Sequence, residues 1–186
     1  AVLADDNGTG VIISDNVLDS TGADSIGLTA IFVAQTKGTE VSNNLIGNID
    51  TNDATLNAQA ISIASVDNFS VTGNIINGVS NSSIGNSTAG GIRIQGTINT
   101  SATIANNVIS GINSAGTNAN HTGIAVFSNN VNVIGNTITG MTQTGNSSSW
   151  GIIVANGNNN VISGNTVSGM TSSATFTSLG IQVQGA

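Results

Sequence analysis

The sequence predicts an all-β chain built as a β-solenoid, with about six coils of roughly 30 residues and three short strands per coil. Three observations carry this. An asparagine recurs at near-constant spacing along all 186 residues; aliphatic residues hold fixed places around each recurrence; and Gly, Asn and Ser fill the gaps between the aliphatic stretches.

The recurring residue is Asn16 in SDNVLDS, Asn44 in SNNLIGN, Asn74 in TGNIING, Asn107 in ANNVISG, Asn136 in IGNTITG and Asn165 in SGNTVSG, with gaps of 28, 30, 33, 29 and 29 residues. Three positions before it stand Ile13, Val41, Val71, Ile104, Val133 and Ile162, which mark the first strand of the unit. Two positions after it stand Leu18, Ile46, Ile76, Ile109, Ile138 and Val167, and five after it Ile49, Val79, Ile112, Met141 and Met170. These mark the second strand, with Met141 and Met170 as stacked core filler. The third is an alternating pair: Ile31/Val33, Ile61/Ile63, Ile92/Ile94, Ile124/Val126, Ile152/Val154 and Ile181/Val183. Alternation over three to five positions is the period of a strand, not of a helix.

A unit this small cannot bury its apolar face alone, so it must stack on copies of itself. Each repeat then adds one hydrogen-bonded strand spacing of about 4.8 Å. The recurring Asn gains a role from this, because an amide at a bend can donate to one neighbouring turn and accept from another. Asn16, Asn44, Asn74, Asn107, Asn136 and Asn165 are therefore expected to form a ladder. The whole chain, 1–186, reads as one solenoid domain, either self-contained or a segment of a longer solenoid.

Composition narrows the function. Only 6% of residues are charged and 3% aromatic, there is no Cys or Pro, yet Ile, Val and Thr are abundant, which argues against disorder. Two basic residues, Lys37 and Arg93, stand against nine acidic ones, so phosphate backbones and anionic membranes are poor partners. No apolar run reaches the roughly 18 residues of a membrane-spanning helix. Surfaces rich in Asn, Ser, Thr and Gly fit an extracellular or cell-surface location.

The stretches GIAVFSNNVNVIGNTITG (123–140) and GIIVANGNNNVISGNTVSG (151–169) resemble the repeats of the right-handed parallel β-helix family, the pectate-lyase-like solenoids. The resemblance spans essentially the whole chain and implies a right-handed coil. It implies little about activity, because that family holds polysaccharide lyases, glycosidases, tailspikes, adhesins and structural proteins. Its lyases need clustered carboxylates for Ca²⁺ and a basic residue, and its hydrolases need two or three carboxylates on one face. From Asn68 to Ala186 there is no Asp or Glu, and Arg93, outward between Ile92 and Ile94, has no acid in its own repeat or later ones. The chain is expected not to be an enzyme and to have no catalytic residue or cofactor.

Some polar residues remain as candidates. Stacking could bring Asp19 or Asp24 near Asp50 and Asp53 and so hold Ca²⁺ through oxygen ligands, against a plainer reading as solvated turn acids. Seven sequons, at Asn7, Asn68, Asn81, Asn86, Asn99, Asn120 and Asn146, fall mostly in bends and would suit glycosylation of an exported protein. His121 is expected at the surface in the polar bend NANHTG, without a partner. Trp150 is expected to pack over a corner.

Neither end of the sequence offers a capping helix or loop, and both lie at the Ile-x-Val phase of the repeat. Val2 and Leu3 at one end, and Ile181 and Val183 at the other, are thus expected to be edges for self-assembly. Copies stacking head to tail would form a filament, because a heterologous contact that does not close propagates. The expected function is a non-enzymatic extracellular structural solenoid: a filament subunit, or a stalk or adhesin segment joined to flanking solenoid of the same chain. The alternative is a carbohydrate-binding or carbohydrate-active β-helix domain with surface glycans as partners.

Overall fold

The computed structural model describes residues 1–5, 8–19, 29–86, 88–117, 121–173 and 177–185. These residues form nineteen strands and no helix. The first turn holds β1 (Val2–Ala4), β2 (Ile12–Ser14) and β3 (Val17–Asp19); the second β4 (Thr29–Ala34), β5 (Glu40–Ser42) and β6 (Leu45–Thr51). The third holds β7 (Ala58–Ala64), β8 (Ser70–Thr72) and β9 (Ile75–Asn81); the fourth β10 (Ala89–Gln95), β11 (Ala102–Ala105) and β12 (Val108–Ser114). The fifth holds β13 (His121–Phe127), β14 (Val131–Ile134) and β15 (Thr137–Gln143); the sixth β16 (Ser149–Ala155), β17 (Val161–Ser163) and β18 (Thr166–Ser172), followed by β19 (Ser178–Gln184).

Every third strand joins the same sheet, in parallel. The first sheet runs β1-β4-β7-β10-β13-β16-β19, the second β2-β5-β8-β11-β14-β17 and the third β3-β6-β9-β12-β15-β18. The chain is therefore a parallel β-solenoid of about six turns with three strands per turn.

Register brings each aliphatic column into line. Ile31 pairs with Ile61 and Val33 with Ile63 in the first sheet, Val41 with Val71 in the second, and Ile46 with Ile76 and Ile49 with Val79 in the third. All ten of these side chains are completely buried. Each such burial contributes roughly 1.5–3 kcal/mol before the entropy of ordering the chain is subtracted, so the core is a sum of similar increments from turn to turn. Met141 and Met170 pair as expected.

The bends explain the residue before the ladder asparagine. That position is Asp15, Asn43, Gly73, Asn106, Gly135 and Gly164 in successive turns, and all six have φ between 54° and 65°. Left-handed backbone is the region that Gly and Asn tolerate best, which is why the sequence alternates G-N, N-N and D-N there. The variable spacing of the asparagines is absorbed in the corners: six residues separate β10 from β11, but three separate β13 from β14. The strands themselves keep register.

The end turns are less covered. Ile181 is 47% exposed and Val183 64%, whereas Val2 is partly buried. Leu3, 71% exposed, pairs with Phe32 in the outward-facing column of the first sheet, so its side chain lies on the flank of the rod and not over its interior. Among the described residues no helix is long and apolar enough to cross a membrane.

Candidate binding face and buried polar corner

The ladder has the same geometry in every turn. In Asn74, both the backbone N–H and the Nδ2 group donate to Asn107 Oδ1, at 3.0 and 2.9 Å, and Nδ2 also donates back to the Val41 carbonyl at 2.9 Å. The same pair of donors from Asn16 reaches Asn44, from Asn44 reaches Asn74, from Asn107 reaches Asn136 and from Asn136 reaches Asn165. Asn44, Asn74, Asn107 and Asn136 are buried, so each amide is a polar group satisfied chiefly by neighbouring turns, with Asn74 and Asn136 Nδ2 also donating to the Thr72 and Ile134 carbonyls of their own turn at 3.2 and 3.3 Å. This is an architectural array, in which all four buried amides both donate and accept.

The outer face of the first sheet is different, because its columns do not repeat. One runs Leu3, Phe32, Ser62, Arg93, Ala125, Ile153, Gln182; another pairs Gln95 with Phe127; a third runs Thr29, Gln59, Gly90, Thr122, Trp150, Leu179. Arg93 donates Nε–H to Gln95 Oε1 at 3.0 Å and lays its guanidinium 5.1 Å from the centre of the Phe127 ring. Such a stack is a cation–π contact. No carboxylate pairs with Arg93 among the described residues, and burial alone draws its pKa below the ordinary value while leaving it charged at neutral pH.

Beside it, Ala125, Ile153 and Ala155 form a small buried apolar cluster outside the coil, packed by Phe127 and Trp150. A groove of about 400 Å³ runs here, lined among others by Gln59, Thr88, Arg93, Phe127, Trp150 and Gln184. Two buried polar atoms nearby, Trp150 Nε1 and Gln182 Oε1, have no protein partner among the described residues. Trp150 is thus a strand residue on a sheet face, not a corner plug. The groove offers flat apolar surface, a planar cation and side-chain amides, which are means of binding. Among the described residues that line it there is no His, Asp, Glu, Lys or Cys.

The acidic candidates do not converge. Asp19 Oδ1 accepts from Asn48 Nδ2 at 2.6 Å, Asp50 accepts from the Ser80 hydroxyl, and Asp53 accepts from the Thr55 backbone N–H and hydroxyl, both at 2.7 Å, and from Leu56 N–H. Asp53 therefore closes a local turn, and those donors, Thr55 N–H foremost, hold its carboxyl below the ordinary range. Asp24 lies outside the described residues. Among those described, no three His, Cys, Asp or Glu side chains stand close enough to hold a metal ion.

Of the sequon asparagines, Asn68, Asn86, Asn99 and Asn146 are exposed, while Asn7 and Asn120 lie outside the described residues. Asn81 is corrected: its side chain is buried, Oδ1 accepts from Ser83 N–H at 2.9 Å and Nδ2 donates to Leu56 O at 3.3 Å, so the folded chain does not present it to a transferase. It occupies an inward corner column with Thr51, Ser114 and Gln143.

His121 also departs from expectation. It opens β13 and is fully buried, with neither ring nitrogen hydrogen-bonded among the described residues. It pairs with Ser149, in the phase held by Ala58, Ala89 and Ser178 in other turns, so the imidazole points into the interior where its neighbours carry small side chains. At the end of β15, in the same turn, Gln143 donates Nε2 to the Gly116 carbonyl at 3.0 Å, while its Oε1 is buried with no partner among the described residues. Desolvation lowers the His121 pKa from 6.5 to about 4, so the ring is neutral at neutral pH.

No known protein family matches the chain, and no curated protein or solved structure is detectably similar to it.

Proposed function

We propose that this chain is a structural β-solenoid of the extracellular space, acting as a filament subunit or as a segment of a surface stalk or adhesin. The observation that carries this reading is the unbroken amide ladder from Asn16 to Asn165, which spends the one repeated polar side chain of each turn on joining turns. The coil is taken as right-handed, the hand that parallel crossovers favour and that the resemblance to pectate-lyase-like repeats implies. Uncovered apolar side chains at Ile181 and Val183 suit stacking on further turns, whether of a copy or of the same chain.

The test is electron microscopy and light scattering across a concentration series. The first sheet has seven strands and the others six, so copies that stack continuously must displace one first-sheet strand. Their axial repeat is then six turns, about 29 Å at the strand spacing. Fibres with that repeat support a filament subunit; strictly single rods at every concentration sink it and leave the stalk segment.

A second reading, carbohydrate binding, is favoured by one observation: the groove with Trp150 and Phe127 beside Arg93, which has no carboxylate partner among the described residues. A sugar stacks on exposed aromatic faces while amides take its hydroxyls. A glycan array with the intact chain, repeated with Trp150→Ala, tests it; a hit that survives the substitution does not use this face.

A further inference from the structure

We infer that β1 is a detachable cap: it occupies the edge of β4 that β19 of a second copy fits better, and copies join head to tail when β19 of one displaces β1 of the next. This joint, which rests on the filament reading above, fixes the surfaces that meet and the polarity of the stack.

The two ends of the rod offer opposite groups. Each ladder asparagine donates its backbone N–H and Nδ2 to the next turn and accepts on Oδ1 from the turn before. Asn16 begins the series, and its Oδ1 accepts from no donor among the described residues. Asn165 ends it. Its Oδ1 accepts from Asn136 and its Nδ2 donates to Val133 O at 2.8 Å, which leaves the second Nδ2 hydrogen and the backbone N–H without a partner among the described residues. An open acceptor at one end and two open donors at the other are what a further rung requires. The columns beside it agree in phase. VISGNTVS, residues 161 to 168, would lie on IISDNVLD, residues 12 to 19, so that Ile162 meets Ile13, Asn165 meets Asn16 and Val167 meets Leu18.

In that stack β17 adds to β2 and β18 to β3, but the first sheet has two strands for one place, because β1 already lies on β4. β1 pairs with β4 at three positions and sets Val2 and Ala4 over Ile31 and Val33. Continued in the same register, β19 meets β4 at five: Leu179 on Thr29, Ile181 on Ile31, Gln182 on Phe32, Val183 on Val33 and Gln184 on Ala34. It replaces Val and Ala in the inward columns by Ile and Val, and so brings more apolar surface as well as more strand pairing. The advantage of β1 is tethering, since a strand of the same chain is present at high effective concentration. A copy's β19 therefore displaces it only when copies are abundant, as in strand exchange and strand addition to an open sheet edge.

Charge sets the direction. Asp5, Asp6, Asp15, Asp19 and Asp24 all precede β4 in the sequence, and no Asp or Glu follows Asp67. Two first turns placed face to face crowd like charges, whereas a first turn on a sixth turn does not. The contact is thus heterologous, and it propagates.

The test fastens or loosens β1 in the intact chain. There is no cysteine, so Leu3→Cys with Phe32→Cys introduces one possible disulfide, on an outward pair whose Cα atoms lie about one strand spacing apart, roughly 4.8 Å and within disulfide reach. Leu3→Pro loosens β1 without entering the core, because Leu3 lies on the flank. Light scattering and electron microscopy follow the oxidised pair, the same protein reduced, Leu3→Pro and the wild type. The expected result is no fibres from the oxidised pair, fibres on reduction, and fibres from Leu3→Pro at lower concentration than from the wild type. Fibres that form equally well with β1 fastened overturn the exchange and leave the filament reading standing. A wild type that stays single while Leu3→Pro assembles supports the cap and sinks the filament-subunit reading. Folded Leu3→Pro that stays single at every concentration overturns the cap. Should Leu3→Pro not fold, the cysteine pair decides alone: fibres only on reduction support the cap, and the same behaviour in both states overturns it.

Discussion

Asn74 and Asn107, 33 residues apart, are joined by two hydrogen bonds that converge on a single oxygen, Asn107 Oδ1. Asn107 in turn gives Nδ2 to Val71 O and to Asn136 Oδ1, both at 2.9 Å. Removing it strands partners on both sides. Asn107→Ala is expected to lower stability by about 2–4 kcal/mol, because buried donors and a carbonyl lose their partners at once. Asn16→Ala, at a part-exposed end of the ladder, should cost about 1 kcal/mol or less, since water replaces what is lost. Urea denaturation of the two variants checks the ratio; equal losses would mean that the ladder is not the source.

Gly135 precedes a ladder asparagine with φ at 65°, where Asn43 and Asn106 stand in other turns at 54° and 56°. Gly135→Val should cost more than 1–2 kcal/mol, roughly the penalty for an ordinary side chain in left-handed backbone, and Gly135→Asn markedly less. Thermal melts of both variants test the order. If Asn proves as harmful as Val, the bend conformation is not what selects G-N.

Trp150 covers part of the Ala125, Ile153 and Ala155 cluster on the outside of the coil. Trp150→Ala should lower stability by about 1–3 kcal/mol, less than loss of a fully interior aromatic because one side of the ring faces the groove. Trp150 is the single tryptophan, so its emission also reports the groove directly. Saccharide binding there should shift the emission, and Arg93→Ala should weaken the shift without unfolding the chain.

Asp67 accepts the Asn99 backbone N–H at 2.7 Å, and that bond, assisted by Asn99 Nδ2 and the Lys37 charge, holds its carboxyl below the usual 3.8. A depressed carboxyl contributes stability that is present above its unfolded value and lost as pH falls through its folded one. The stability that Asp67 contributes should therefore begin to be lost only under about pH 4. Asp67→Asn should flatten the pH dependence of the urea midpoint in that range and leave the region between pH 4 and 6.5 unchanged. A change in that higher region would mean that Asp67 is coupled to something other than Asn99 and Lys37.

The parts legible in the sequence are those that every turn must repeat. The period, the inward columns such as Ile61/Ile63, and the ladder from Asn16 to Asn165 follow from one requirement, that each turn bury the same face against the next, so each was written six times and could be read by comparing the chain with itself. His121 carried no such signal. It stands three residues before Ile124, an odd offset that simple alternation assigns to the outer face, yet it is buried, as Ala58 and Ala89 are at the same place in their turns.

What stacking alone decided is the arrangement of residues that occur once. Whether Asp19, Asp50 and Asp53 meet, whether Asn81 faces in, and whether Arg93 reaches Phe127 all depend on how the corners absorb gaps of 28 to 33 residues. The outward columns are under no common packing demand, so their neighbours differ from turn to turn and no periodicity announces them. By itself the sequence determined the coil and its interior; only the tertiary register, which lays residue 93 beside 125 and 127, created a face on which anything could bind.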